Sequence, residues 1–130
     1  MKTMRVFATA LGAALLVAAS GASAEEVVAR YSGSGSGNTP EFEARAPWIM
    51  EWVVSGEEGQ YEVIEIGLVN ASTGQYEGVA VKSKMAGSGV RLFENSGHYY
   101  FRIASSLMNW HINVIELTED EAKQYQPVQR

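Results

Sequence analysis

Bulky apolar residues alternate with polar ones along most of this chain, and clusters of Gly, Ser, Thr and Asn interrupt them at short intervals. Alternation with a period of two is the mark of a half-buried strand. It predicts eight extended segments, at 27–34, 40–45, 48–55, 61–69, 76–84, 89–94, 98–105 and 108–117. The punctuation between them is Ser55-Gly56-Glu57-Glu58-Gly59, Ala71-Ser72-Thr73-Gly74, Ala86-Gly87-Ser88-Gly89 and Asn95-Ser96-Gly97. Such residues tolerate positive φ or bond their own backbone. No segment before Leu117 has a helical period, and no repeat of fixed length is visible. Thr118-Glu119-Asp120-Glu121 then has the form of a capping box that opens a short helical turn, which Pro127 stops early. This tail is expected to decorate the surface and to fray.

Alternation also assigns faces. Tyr99, Phe101 and Ile103 fall on one side of their strand, and Trp110, Ile112 and Val114 on one side of theirs. A two-residue loop at Ser106-Leu107 pairs them as Ile103–Trp110, Phe101–Ile112 and Tyr99–Val114. A slip of one residue sets Ile103 against His111 and mixes the faces. A four-residue turn likewise opposes Ile66 to Val79 and Ile64 to Val81. Trp48, Met50 and Trp52 share a side that is expected to face inward, leaving Glu51 to solvent beside Ile49 and Val53. Reversed faces would instead expose two tryptophans as a sugar-stacking platform. The simplest way to bury one face of so many short strands is an all-β fold of two packed antiparallel sheets, a β-sandwich of jelly-roll or Greek-key type. A closed barrel is the alternative.

The first residues stand apart from this pattern. Lys2 and Arg5 precede an apolar run at 11–19, and Ser20-Gly21-Ala22-Ser23-Ala24 leads into Glu25-Glu26. That is a charged n-region, a short apolar h-region and an A-x-A-like cleavage site, so residues 1–24 read as a secretory signal peptide. The run is shorter than the roughly 20 apolar residues of a membrane span. Cleavage after Ala24 leaves a sandwich domain at 25–117 and a polar tail at 118–130, placed in the periplasm or the medium. One domain with one core is expected at this size. The absence of cysteine excludes a disulfide framework, a thiolate metal site and the acceptor of a lipoprotein anchor.

The formal charge of the chain is −5, and losing Lys2 and Arg5 with the leader makes it two units more negative. An acidic chain without a basic run is a poor nucleic-acid binder. Asp120 is the only aspartate, and nothing has the Asp/Asn spacing of a calcium loop. No cofactor, metal, nucleic acid or membrane partner is expected.

Several pieces of the mature chain carry a resemblance. They are Gly33-Ser34-Gly35 followed by Thr39 and Phe42, Pro47-Trp48 with Trp52, Gly97-His98-Tyr99-Tyr100-Phe101-Arg102-Ile103, and Trp110-His111-Ile112-Asn113-Val114. In these the chain resembles a diffuse group of small exported bacterial β-sandwich domains. The shared residues belong to turns and core, so the resemblance implies the fold and an exported location and brings no catalytic residue. Many such domains follow a lipoprotein signal with a cysteine, and this chain departs from them there.

The chemistry-bearing candidates mostly fall away. Ser32-Gly33-Ser34-Gly35-Ser36-Gly37 lacks the Gly-Lys-Ser/Thr ending and the following helix of a P-loop, and is expected to be a flexible connector or bulged strand. His98 and His111 sit four positions apart in the expected register, about 3.3 Å each and roughly 13 Å in all. A zinc ion with ligands about 2 Å away cannot hold both. No G-x-S-x-G elbow is present. A glycosidase needs only two carboxylates across a cleft, but Glu57, Glu58, Glu119 and Glu121 lie in a turn and a tail. Glu62, Glu65 and Glu77 belong to strands whose outward positions are polar in any case.

The remaining candidate is an outer row. Phe93, His98, Tyr100, Arg102, His111 and Asn113 share one solvent face if the last three strands are sheet neighbours, and Tyr and Arg are enriched at recognition surfaces. The expected function is a non-catalytic exported module that recognises a protein or glycan of the envelope or medium. A structural or stress-related domain without a dedicated ligand is the alternative, and a small hydrolase comes third.

Overall fold

The computed structural model describes residues 25–56 and 63–125. The proposed leader, Glu57, Glu58 and Glu62, and Pro127 lie outside the described residues. Among the described residues nine strands follow one another: β1 (Glu26–Ser34), β2 (Gly37–Asn38), β3 (Phe42–Ala44), β4 (Trp48–Ser55), β5 (Ile64–Asn70), β6 (Tyr76–Ser83), β7 (Gly87–Phe93), β8 (Gly97–Ser105) and β9 (Asn109–Glu116). A helical turn, α1 (Glu119–Ala122), runs into a 3-10 turn at Lys123–Tyr125. The first sheet has the order β1-β9-β4-β7. The second runs β2-β8-β5-β6, with β3 also paired to β8. Every pairing is antiparallel. The fold is the expected all-β two-sheet sandwich.

Both sheets feed one apolar filling. Trp48, Met50, Ile112 and Val114 come from the first sheet and Ile64, Ile66, Phe101 and Ile103 from the second, all essentially without solvent contact. Trp52, on the same side as Trp48 and Met50, is partly buried against this cluster. The inward faces are thus the ones that alternation assigns.

Two of the expected pairings are corrected. β8 and β9 do not form a hairpin; β8 pairs with β5 and β9 with β1 and β4, in opposite sheets. Phe101 lies opposite Leu68 and Ile112 opposite Trp52 and Tyr31, so the two rows meet through the filling and not along a ladder. Ser106-Leu107 is the start of an arch, in which Met108 is buried as a plug. The arch is held by Ser106 N–H donating to the Val63 carbonyl at 3.1 Å and by Gly35 N–H donating to the Met108 carbonyl at 3.0 Å. In the second correction, Ile66 opposes Val81 and Ile64 opposes Ser83, two residues from the expected register. Asn70 Oδ1 accepts from the N–H groups of Ser72 and Thr73, which fixes the turn. Glu77 and Ala80 are then extra residues, each the unpaired member of a bulge in β6.

The Gly/Ser run is strand and bend, and it is pinned. Gly33 lies opposite Trp110, whose ring occupies the space a Cβ would need. Trp110 Nε1–H donates to the Gly35 carbonyl at 3.1 Å, and Ser36 Oγ bonds both the carbonyl and the N–H of Ser105.

The tail packs. Thr118 and Glu121 form the expected capping box. Ala122 and Tyr125 lie with Ile49, Ile115, Leu117 and Leu92 on the outer side of the first sheet, where Ile49 is fully buried. Glu51 stays half-buried on that side and accepts a 3.4 Å bond from Asn113 Nδ2 on the next strand.

Candidate functional site

Crossing between sheets at residues 106–108 divides the six candidate residues. His98, Tyr100 and Arg102 alternate along β8 with buried Tyr99, Phe101 and Ile103 and so lie on the outer face of the second sheet. His111 and Asn113 alternate with Trp110, Ile112 and Val114 in β9, which puts them on the outer face of the first sheet. Phe93 is turned toward the filling, its ring stacked on Trp48 at 4.3 Å and 18°. The row expected to form one face is therefore three residues on one side of the molecule, two on the other and one between. His98 and His111 likewise belong to different sheets, and His98 Nε2 lies 3.2 Å from Glu41 Oε1 at the surface.

On the second sheet the structure adds residues that alternation alone does not reveal. Arg102 lies opposite Gly67 in the central strand β5. Gly67 has no side chain to fill its place, and the Tyr76 ring from β6 lies over it; a Cβ there would run into the ring. The Arg102 guanidinium carbon sits 4.6 Å from the centre of that same ring. One row along, Val69 has Tyr100 and Tyr76 as its two cross-strand neighbours and is buried although it faces outward. Val79, opposite Gly67 on the other side, is 40% exposed.

The result is a flat patch of Tyr100, Tyr76, Arg102 and Val79 on a backbone floor. A surface cation–π contact contributes about 0.5–1 kcal/mol, enough to bias the Arg102 rotamer without fixing it. Arg102 makes no ion pair or hydrogen bond among the described residues, so its five N–H donors face solvent or a ligand. The sequence signal for Gly67 was available, since a glycine within a strand marks close approach of another group. Which group approaches depends on the register of β6, and the bulges change that register.

Glu65 lies on this outer face opposite Lys82. Glu77, expected on an outward strand position, is the extra residue of its bulge and lines a cavity at the side of the sandwich. Glu65 and Glu77 are thus not gathered across one cleft. Among the described residues no helix is long and apolar enough to cross a membrane. Comparison with protein-family models and with curated proteins found no match to this chain.

Proposed function

We propose that this chain is an exported, non-catalytic β-sandwich module that recognises a protein or glycan of the cell envelope or medium through the outer face of its second sheet. The observation that carries the reading is the stack of Gly67, Tyr76 and Arg102 beside Tyr100. Tyrosine rings present large contact area at low entropic cost, and Tyr and Arg are among the residues that dominate measured binding energy at interfaces. An arginine biased toward a ring and free of protein acceptors has part of its rotamer freedom removed before a ligand arrives, which lowers the cost of ordering it on binding. The apolar and charged neighbours are mixed, as in recognition surfaces generally.

The test is retention of the processed protein on envelope fractions and immobilised polysaccharides, compared with a Tyr100→Ala/Arg102→Ala variant. The expected result is a loss of affinity of about tenfold or more for the variant, with an unchanged circular dichroism spectrum. Equal retention of the two proteins removes this face from consideration.

A further inference from the structure

A strand at the edge of a sheet carries backbone N–H and C=O groups without partners, and bulges, short strands or bonded side chains keep other strands off it. Most edges of this sandwich have such a device. In β1 an extra residue, Val28, breaks the register between Val27 and Ala29. The edge made by β2 and β3 consists of two residues and three residues, with Pro40 between them. In β6, Glu77 and Ala80 are extra residues, and Arg91 Nη1 donates to the carbonyls of Val79 and Ala80 at 3.2 and 3.4 Å. The edge strand β7 is different. Its register with β4 is unbroken from Gly87 opposite Val54 to Phe93 opposite Trp48, and no described group bonds its far edge. Arg91 points inward from β7, opposite Met50, and is drawn away to the β6 carbonyls and over the Phe93 ring at 5.7 Å.

This edge is complementary to an antiparallel copy of itself. A two-fold axis perpendicular to the sheet sets each residue opposite one on the same face, so the axis passes beside a single residue. Beside Arg91 it opposes like charges, which is unfavourable. Beside Gly89 it opposes two residues without side chains, and Leu92 is already packed against the tail. Beside Val90 it sets a valine that is 48% exposed against its own copy, and Arg91 falls opposite Gly89. Val53, exposed on β4, lies diagonal to Val90, so four valines line up across the junction. Charge agrees with this arrangement. Lys82 and Lys84 lie at the end where β6 leads into β7, and Glu77 and Glu94 at the other end. An antiparallel copy brings the basic end of one chain to the acidic end of the other, and does so twice.

We propose that the chain forms a two-fold dimer by antiparallel pairing of β7 with its copy about Val90, joining the first sheets into one sheet with four strands from each copy. The same patch serves both partners, so the contact closes and does not propagate. One strand per copy makes a small interface, and the dimer forms by mass action. The proposal does not rest on the function assigned to the second sheet, but it has a consequence for it. Because the axis is perpendicular to the sheets, both second sheets lie on the same side of the joined one. The two patches of Tyr100 and Arg102 therefore face the same way. A surface that repeats its ligand is then held at two points, the second by an intramolecular step.

Sedimentation velocity of the protein from micromolar to millimolar concentration tests this. The mass is expected to double over that range. Val90→Lys sets like charges opposite each other in the dimer and leaves the core untouched. It is expected to abolish the doubling with an unchanged circular dichroism spectrum. Val27→Lys, at an exposed valine of β1, is expected to leave the doubling intact. The chain has no cysteine, so a single introduced one reports the register. Val90→Cys lies on the axis within disulfide reach of its own copy, and is expected to cross-link under mild oxidation at least about tenfold faster than Ser88→Cys. The copies of residue 88 lie four positions apart along the strands, roughly 13 Å. A chain that stays monomeric throughout overturns the proposal, as do a dimer that survives Val90→Lys, a dimer lost in Val27→Lys, or equal cross-linking at the two positions. The binding face is read separately, since Tyr100→Ala/Arg102→Ala is expected to leave the mass unchanged.

Discussion

At the residue scale, Gly67 and Thr39 separate binding from folding. A methyl at 67 meets the far end of the Tyr76 side chain, which is 39% exposed and free to swing away. Gly67→Ala is therefore expected to cost less than about 1 kcal/mol, since a strand gains from losing a glycine. The same change dislodges the ring from under Arg102, so retention on the ligand matrix is expected to fall while the urea midpoint hardly moves. Thr39 behaves in the opposite way. Its hydroxyl accepts the Phe101 N–H at 2.9 Å and donates to the Pro40 carbonyl at 3.0 Å, and its own N–H donates to the Phe101 carbonyl. Thr39→Val strands a buried N–H on the central core residue of β8. The expected loss is about 1–3 kcal/mol, seen as a lower urea midpoint with an unchanged slope.

At the scale of elements, faces were legible and neighbours were not. A period of two says which side of a strand is buried, and Tyr99, Phe101, Ile103, Trp110, Ile112 and Val114 all lie where it puts them. The same period holds whether two successive strands pair side by side or lie in facing sheets. The arch at Ser106-Leu107-Met108 therefore could not be told from a hairpin, although an apolar Met108 next to the loop was a hint that the chain turns inward. The β5–β6 register failed for a different reason: bulges at Glu77 and Ala80 leave no trace in hydrophobicity. The tail shows the limit of composition. Four polar residues spell a capping box, while Ala122 and Tyr125 do the packing, over Ile49 and Ile115. Truncation after Leu117 is expected to lower stability by on the order of 2 kcal/mol as Ile49 regains water, and to raise binding of a hydrophobic dye.

At the scale of the whole molecule, one filling between two sheets holds the chain without disulfides, and the tyrosines that border it link its stability to pH. Burial pushes the Tyr99 hydroxyl above its ordinary value of 10.0, and the Glu77 carboxylate adds to the rise; burial moves Tyr31 the same way. The folded chain keeps these protons after the unfolded chain has begun to lose them. The stability they contribute is therefore intact below pH 10.0 and declines as pH climbs past it. Urea midpoints are expected to be flat across neutral pH and to fall on that alkaline limb, with Tyr99→Phe falling less steeply. A midpoint that rises there would contradict the assignment.

The division of the candidate residues between two faces follows from placing β8 and β9 in opposite sheets, so the pairing of those strands is the measurement that matters most. Backbone proton–proton contacts in solution, measured by nuclear Overhauser effects, report it directly. Contacts of Phe101 with Leu68 and of Ile112 with Trp52 are predicted. A backbone contact between Phe101 and Ile112 would instead join the two strands in one ladder, return His111 to the side of Arg102 and contradict the account.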